Sequence, residues 1–336
     1  MTPLFHPHLL NGPGGDPVLY IDCQFQRRAL LFDLGELSRL PPRRALRLSD
    51  IFISHLHMDH FIGFDTLLRL HLGRDRRLRL HGPPGLIERV GHHLQGYTWN
   101  LLHHYRNELV FEVSDFAPDG EHDRAVFRSG NGFRRTQAVP PTAPDGVMLD
   151  EPDFRVRSVH LDHGIPCLGF ALEETRHINV WPDRVHALGL PTGPWLAHLK
   201  RLVREAAADA TPVEITWHDR DGDHRREFPL GYLRREVLEE SRGQKIAYVT
   251  DIAFHDANRQ AVRELAGDAH LFYIEAPFLQ TAARRAVATA HLTAHQAGQL
   301  AREAGAHRVI PFHFSPRHRG HESLLEAEVQ AAFEMR

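Results

Sequence analysis

Three imidazoles and a carboxylate fall within six positions, His55-Leu56-His57-Met58-Asp59-His60, directly after the apolar run Ile51-Phe52-Ile53. Imidazole nitrogen and carboxylate oxygen are ligands of borderline divalent cations, zinc above all, and the end of a buried strand can aim several at one point. His55 and His57 stand two apart and face the same side of an extended chain. Asp59 and His60 lie past the turn and can address a second ion. Solvated histidines on a polar loop are the plainer alternative, but they leave the compression at a strand end unexplained. The segment reads as metal-binding.

A two-ion site needs roughly seven protein ligands, so further candidates are sought where other apolar strands stop. His160, Asp162 and His163 cluster at the end of the strand near residues 154–159, and the register leaves open which turns inward. Asp251 ends Ala247-Tyr248-Val249-Thr250, and His313 follows Val309-Ile310-Pro311-Phe312. Taken singly, each is as well read as a core or loop residue. Asp33, near the end of the strand read at residues 29–35, is read as an ordinary loop carboxylate in preference to a partner of a ligating imidazole.

The His-x-His-x-Asp-His run after an apolar strand resembles the signature of the metallo-β-lactamase fold. Further segments resemble its ribonuclease Z branch, the endonucleases that trim precursor tRNA: Leu161-Asp162-His163-Gly164, His313-Phe314-Ser315, His291-Leu292-Thr293 and Tyr273-Ile274-Glu275-Ala276. The resemblance selects His163 and implies that His55, His57 and His163 hold one ion. Asp59, His60 and His313 would hold the other, with Asp251 between them. It implies two zinc ions, with manganese as an alternative, and an αββα sandwich with an inserted arm. His291 would be a non-ligand facing the scissile phosphate, protonating the leaving oxygen, with Glu275 fixing its tautomer and Asp59 taking up a proton. Gly193-Pro194 and the following Lys200, Arg201 and Arg204 resemble the base of the arm that grips tRNA. The implied substrate is the 3′ trailer of precursor tRNA, and the implied assembly is a homodimer.

Departures from the pattern are also present. The family's Gly-Thr-Gly-Ser loop is replaced by Leu9-Leu10-Asn11-Gly12-Pro13-Gly14-Gly15-Asp16, the His preceding Glu275 is Ile274, and the arm's Gly-Lys is Ala197-His198. Two other functions therefore stand beside the leading one: a hydrolase of a small phosphodiester such as a cyclic nucleotide, and a non-catalytic RNA- or metal-binding relative. The full ligand set together with His291 speaks against the last.

The elements that must position these groups alternate in type along the chain. Strands are expected at residues 18–22, 29–35, 50–54 and 78–81, with an amphipathic helix at 61–72 and another at 86–104. Strands near 109–114, 124–128 and 133–139 lead to a Pro-rich break at 140–144. The second half gives strands at 154–159, 168–173, 246–250, 271–274 and 309–312, and helices at 256–266, 293–304 and from 322. Two sheets packed face to face with helices outside fit this order. The whole chain is expected to be one catalytic domain, interrupted at 174–232 by a polar, Pro/Gly-punctuated arm.

Composition sets outer bounds. The 336 residues are 42% hydrophobic and 25% charged, ordinary for a globular protein. A formal net charge of −3 is not the strongly basic balance of a protein that coats nucleic acid, so any RNA contact must come from a local basic patch. The two cysteines, Cys23 and Cys167, are far apart and fit a reducing cytoplasm. Met1 to Pro7 lacks a basic stretch before a long apolar core, so no signal peptide is expected, and no apolar run approaches membrane-spanning length. Most of the 27 histidines, such as His92, His93, His103 and His104, are read as solvated.

Overall fold

The computed structural model describes residues 3–24, 26–118, 122–139 and 146–335; the Pro-rich break at 140–144 lies outside them. The first sheet has eight strands in sequence order: β1 (Phe5–Leu9), β2 (Leu19–Cys23), β3 (Arg28–Phe32), β4 (Leu48–Phe52), β5 (Arg76–Gly82), β6 (Leu109–Phe116), β7 (His122–Arg128) and β8 (Arg135–Gln137). Strands β3 to β6 run parallel, as their continuous apolar centres require. Three helices connect them: α1 (Pro42–Ala45), α2 (Phe64–His71) and α3 (Leu86–Gln95). Phe64 and Leu67 of α2 and Leu86 and Val90 of α3 cover one face of this sheet together with Leu78, Leu80 and Phe111.

The second sheet begins with β9 (Val147–Asp150), β10 (Phe154–Asp162) and β11 (Pro166–Glu174). The chain then forms a separate compact unit of residues 149–155 and 173–244. It contains β12 (His177–Val180), α4 (Pro182–Ala187), α5 (Trp195–Arg204), the hairpin β13 (Pro212–Asp219) and β14 (Gly222–Pro229), α6 (Leu230–Val237) and β15 (Leu238–Ser241). Returning to the second sheet, β16 (Lys245–Val249), β17 (Leu271–Glu275) and β18 (Val309–Phe312) are parallel. The order is β18-β17-β16-β11-β10-β9. Helices α7 (Asp256–Ala266), α8 (Ala283–Ala288), α9 (Ala294–Glu303) and α10 (Glu322–Glu334) complete the chain. Val262, Leu300 and Val329 from α7, α9 and α10 pack with Val249 and Phe272 on the outer face of this sheet.

The inner faces of the two sheets meet through aromatic rings. Phe32 lies 5.5 Å from Phe170 and 5.7 Å from Tyr248, and Phe52 lies 5.9 Å from Phe170. Each such ring removes a large apolar area from water, which contributes most to holding sheet on sheet. The αββα arrangement expected from the sequence is therefore present. Among the described residues no helix is long and apolar enough to cross a membrane.

Local differences have physical causes. The helix expected over 86–104 stops at Gln95, because Gly96 follows and Trp99 Nε1 donates to the Leu94 carbonyl at 2.7 Å, ending the ladder. The 173–244 unit, which contains the stretch 174–232 read as a polar, Pro/Gly-punctuated arm, carries its own core of Trp195, Leu199, Val203, Val213, Ile215, Leu233 and Val237. Its two-residue alternation at 213 and 215, and the Asp221-Gly222 turn, are the signals that charged outward positions concealed.

One buried ion cluster fixes the register of the first sheet. Asp50 of β4 is fully buried and accepts from Arg28 at 2.7 Å, Arg79 at 2.6 Å and Ser49 Oγ at 2.6 Å. Burial alone would raise its carboxyl, but His81, Arg79 and Arg28 override this and hold it well below the usual carboxylate range. Asp50→Asn is expected to cost about 2–4 kcal/mol at pH 7, somewhat less than a fully desolvated pair because the arginines touch water. A depressed folded-state pKa stabilises above the unfolded value near 3.9, and this is lost as pH falls below it. Denaturant titrations should therefore show the two proteins separated at pH 7 and converging below about pH 4.

Candidate metal centre

The strand ends converge as the sheets bring them together. Beyond β4 the chain runs through Ser54 to His57 and closes in a single 3₁₀ turn, Met58–His60. That turn sits directly on backbone: a Cβ on Gly63 would lie 2.2 Å from the Gly35 carbonyl, and one on Gly35 would lie 2.7 Å from the Asp59 carbonyl. Only glycine permits such contacts. His163 follows β10, Asp251 follows β16 by one residue, and His313 follows β18 in a left-handed conformation at φ 59°.

The two carboxylate oxygens of Asp251 face different groups of imidazoles. Oδ2 is 3.6 Å from His55 Nε2 and 3.6 Å from His163 Nε2, and His57 Nδ1 is 2.9 Å from His55 Nε2. Oδ1 is 3.6 Å from His60 Nε2 and 2.8 Å from His313 Nδ1, while Asp59 Oδ2 is 3.3 Å from His313 Nε2 and 3.6 Å from His60 Nε2. His55, His57, His163 and Asp251 thus offer donor atoms all within 4.8 Å of one another, and so do Asp59, His60 and His313. The structure brings all seven sequence candidates together. Of the three competitors at the end of β10, Asp162 turns away to accept from Gly164 N at 2.7 Å and to meet His255 at 3.2 Å.

Electrostatics suit a cation. Burial first, then neighbouring His60, push His55 down to about 2, leaving it a neutral imidazole with a lone pair to give. His57 is lowered for the same reasons, burial and the adjacent His163. Burial would raise Asp251, yet His313 and His60 hold it well below the carboxylate range; Asp59 is held at about 2 by His313 and His60 against burial. Burial disfavours charge on His60, but Asp33 and Asp251 overcome it and raise that ring to about 10. The two carboxylates thus favour positive charge at this point. His60 Nε2 is buried, makes no hydrogen bond among the described residues and faces Asp59 and Asp251. Nitrogen-rich ligands with two carboxylates fit a divalent ion of the zinc type.

Outer contacts orient the rings. Asp33, read from sequence as a loop carboxylate, is fully buried at φ 58° and accepts from His60 Nδ1 at 2.9 Å. It also accepts from Ser54 N, Ser54 Oγ and Tyr248 OH at 2.7, 2.9 and 2.8 Å. His163 Nδ1 donates to the Ala290 carbonyl at 2.8 Å, which leaves Nε2 for the centre. Ser54 and Tyr248 escaped the sequence reading because nothing in their spacing distinguishes them from core residues.

Beside this cluster stands a second pair. Glu275, buried at the end of β17, accepts from Ile252 N at 2.9 Å and Leu292 N at 3.1 Å through Oε1, and from His291 Nδ1 at 2.7 Å through Oε2. Burial opposes charge on His291, but Glu275 prevails and raises it above the ordinary imidazole value. Ala290 holds φ 54° to make this turn, and the Thr293–Gln296 capping box starts α9 immediately after it. His291, His57, Asp59, His163, Asp251 and His313 all line one cleft of about 380 Å³, whose mouth includes Gly14–Asp16, Phe278, Thr289 and Pro316.

The residues read as the base of the arm lie in the 173–244 unit. Gly193 and Pro194 precede α5. Within that unit Arg204 pairs with Asp153 at 2.9 Å, and Lys200 is half-buried and lowered by burial and by Arg204. Arg201 is exposed and reaches His198 at 2.8 Å.

No family model matches the chain. Among solved structures, human tRNase Z, short form, superposes with a TM-score of 0.54 at 18% identity, covering 94% of this chain and 92% of the other. A metallo-β-lactamase fold protein of Bacillus subtilis gives 0.54 at 15% identity, covering 97% and 92%. At such identities the likeness shows the fold alone. A ribonuclease Z of Methanothermobacter thermautotrophicus is 28% identical over 310 residues, 89% of this chain and 81% of its own length. The ribonuclease Z of Deinococcus radiodurans is 34% identical over 317 residues, spanning 93% of this chain and 90% of its own length. A likeness of that depth, running nearly end to end over a metallo-β-lactamase fold, places this chain in the ribonuclease Z family.

Proposed function

We propose that the chain is an endoribonuclease that removes the 3′ trailer of precursor tRNA, with His55, His57, His163, Asp59, His60, His313 and a shared Asp251 holding two divalent ions, zinc by preference. The observation that carries this reading is the division of Asp251, whose two oxygens face two separate groups of imidazoles. Such a pair of ions, when bound, lowers the pKa of water toward about 7 and neutralises charge on a phosphodiester. The chain's own residues do the rest. Asp59, whose side chain is 44% exposed, has an oxygen free to take a proton from the attacking water. His291, held by Glu275 through Nδ1, presents Nε2 to the cleft and delivers a proton to the departing 3′-oxygen. Phe278, at one wall of the cleft, helps to exclude bulk water.

Glu275 is a positioning residue in this scheme. Its charge keeps His291 protonated to higher pH, so Glu275→Gln should move the alkaline limb of the pH–rate profile to lower pH. It should also lower kcat by about 10- to 100-fold as the ring loses its fixed tautomer. An unchanged profile would remove Glu275 from the mechanism.

The unit of residues 173–244 is proposed as the RNA-gripping arm, with Arg201 its exposed basic residue at the base and Gly193-Pro194 setting the entry to α5. A homodimer is proposed as the working assembly, checked by light scattering. The deciding experiment incubates the protein with a labelled precursor tRNA and with bis-p-nitrophenyl phosphate, each with and without chelator. Cleavage of both, abolished by chelator and restored by zinc, is expected. Cleavage of the small diester alone would leave a small-phosphodiester hydrolase on the same centre.

A further inference from the structure

Two segments that line the cleft, at Pro277–Phe278 and at Ser315–Pro316, meet where Ser315 N donates to the Pro277 carbonyl at 3.3 Å. One segment leads into α8 with Arg284 and Arg285; the other is the turn after Pro316 with Arg317 and Arg319. All four arginines are exposed, and among the described residues none forms an ion pair with a carboxylate. Arginines elsewhere in the fold, such as Arg28, Arg124 and Arg259, hold Asp50, Glu112 and Glu303. Arg285 lies 5.8 Å over the ring of Phe278, which itself lines the cleft, so the basic edge is continuous with the reacting centre. His291, four residues beyond Val287 of α8, stands on this same side.

We propose that Arg284, Arg285, Arg317 and Arg319 form a phosphate-binding rim. It holds the polynucleotide strand on the leaving-group side of the cut and fixes the polarity with which RNA enters the cleft. This rests on the endoribonuclease reading above. A chain with net charge −3 has no general attraction for RNA, so a local unpaired cluster must supply the field. The nucleotide whose 3′-oxygen departs must lie next to His291, and its 5′ phosphates then fall along α8 and the Pro316 turn. Arginine suits the task because its planar fork binds phosphate oxygens in pairs.

The test compares the wild-type chain, a fourfold Arg→Gln variant and a fourfold Arg→Lys variant on precursor tRNA from 50 to 200 mM salt. Each phosphate contact contributes roughly 0.7–0.9 to the slope of log affinity against log salt. The Gln variant should lose up to about 3 from that slope and show a KM raised about 10- to 100-fold at low salt, with kcat within about threefold. The Lys variant should keep most of the slope, which a purely structural role of the arginines would not predict. An unchanged salt slope and KM in the Gln variant, with wild type cleaving RNA normally, would overturn the rim alone. A wild-type chain that hydrolyses bis-p-nitrophenyl phosphate and never RNA would overturn the reading beneath it, and the rim with it.

Discussion

Asp251→Ala should reduce phosphodiester cleavage by at least about 10³-fold, because one carboxylate faces both halves of the centre and no other group can reach both. Its Oδ2 lies within 3.6 Å of His55 and His163, and its Oδ1 within 3.6 Å of His60 and 2.8 Å of His313. Deleting it leaves Asp59 as the one carboxylate among the remaining six residues, with Asp33 behind His60 and Glu275 near His313. The metal content, measured by elemental analysis after dialysis, should fall from the two ions per chain proposed above to one or none. With metal stripped from both proteins, His60 and His313 should titrate at lower pH in the variant, since Asp251 is a cause of the upward shift of both rings. A variant that retains two ions and near-normal turnover would show that Asp251 is not shared between them.

His291→Ala should lower kcat for RNA by about 10²–10⁴-fold while leaving the metal content intact. The ring lies in neither the group of His55, His57, His163 and Asp251 nor that of Asp59, His60 and His313; it does stand within 4.8 Å of donor atoms of Asp251, Glu275 and His313, but its Nδ1 is occupied by Glu275 at 2.7 Å. What it supplies is a proton for an oxygen that leaves poorly as an alkoxide. A p-nitrophenolate leaves well without one, so bis-p-nitrophenyl phosphate should lose far less activity in the variant than RNA does. Equal losses on both substrates would assign His291 to binding or to the metals rather than to proton delivery.

Much of this cluster was legible in the sequence because its side chains stand at the ends of apolar strands, and such strands announce themselves. His55, His57, Asp59 and His60 are compressed into six positions, which a single segment reveals. Asp251 and His313 needed the order of the strands as well, and His163 needed the resemblance to be separated from His160 and Asp162. Asp33 was under-read because its role depends on Ser54, His60 and Tyr248, the last 215 residues away, meeting at one buried point. The core of the 173–244 unit was missed because β13 and β14 alternate apolar positions with charged ones, and a two-residue period over a short run is easily masked. The arginines proposed as a rim carry no local signal in the sequence; the meeting of Ser315 with Pro277 links the two segments that carry them.

The turn that carries Asp59 and His60 rests on Gly35 and Gly63, with main chain against main chain. A methyl group at either glycine would press on a main-chain carbonyl, that of Gly35 or of Asp59, so either Gly→Ala change should displace Asp59 and His60 without altering any side chain of the cluster.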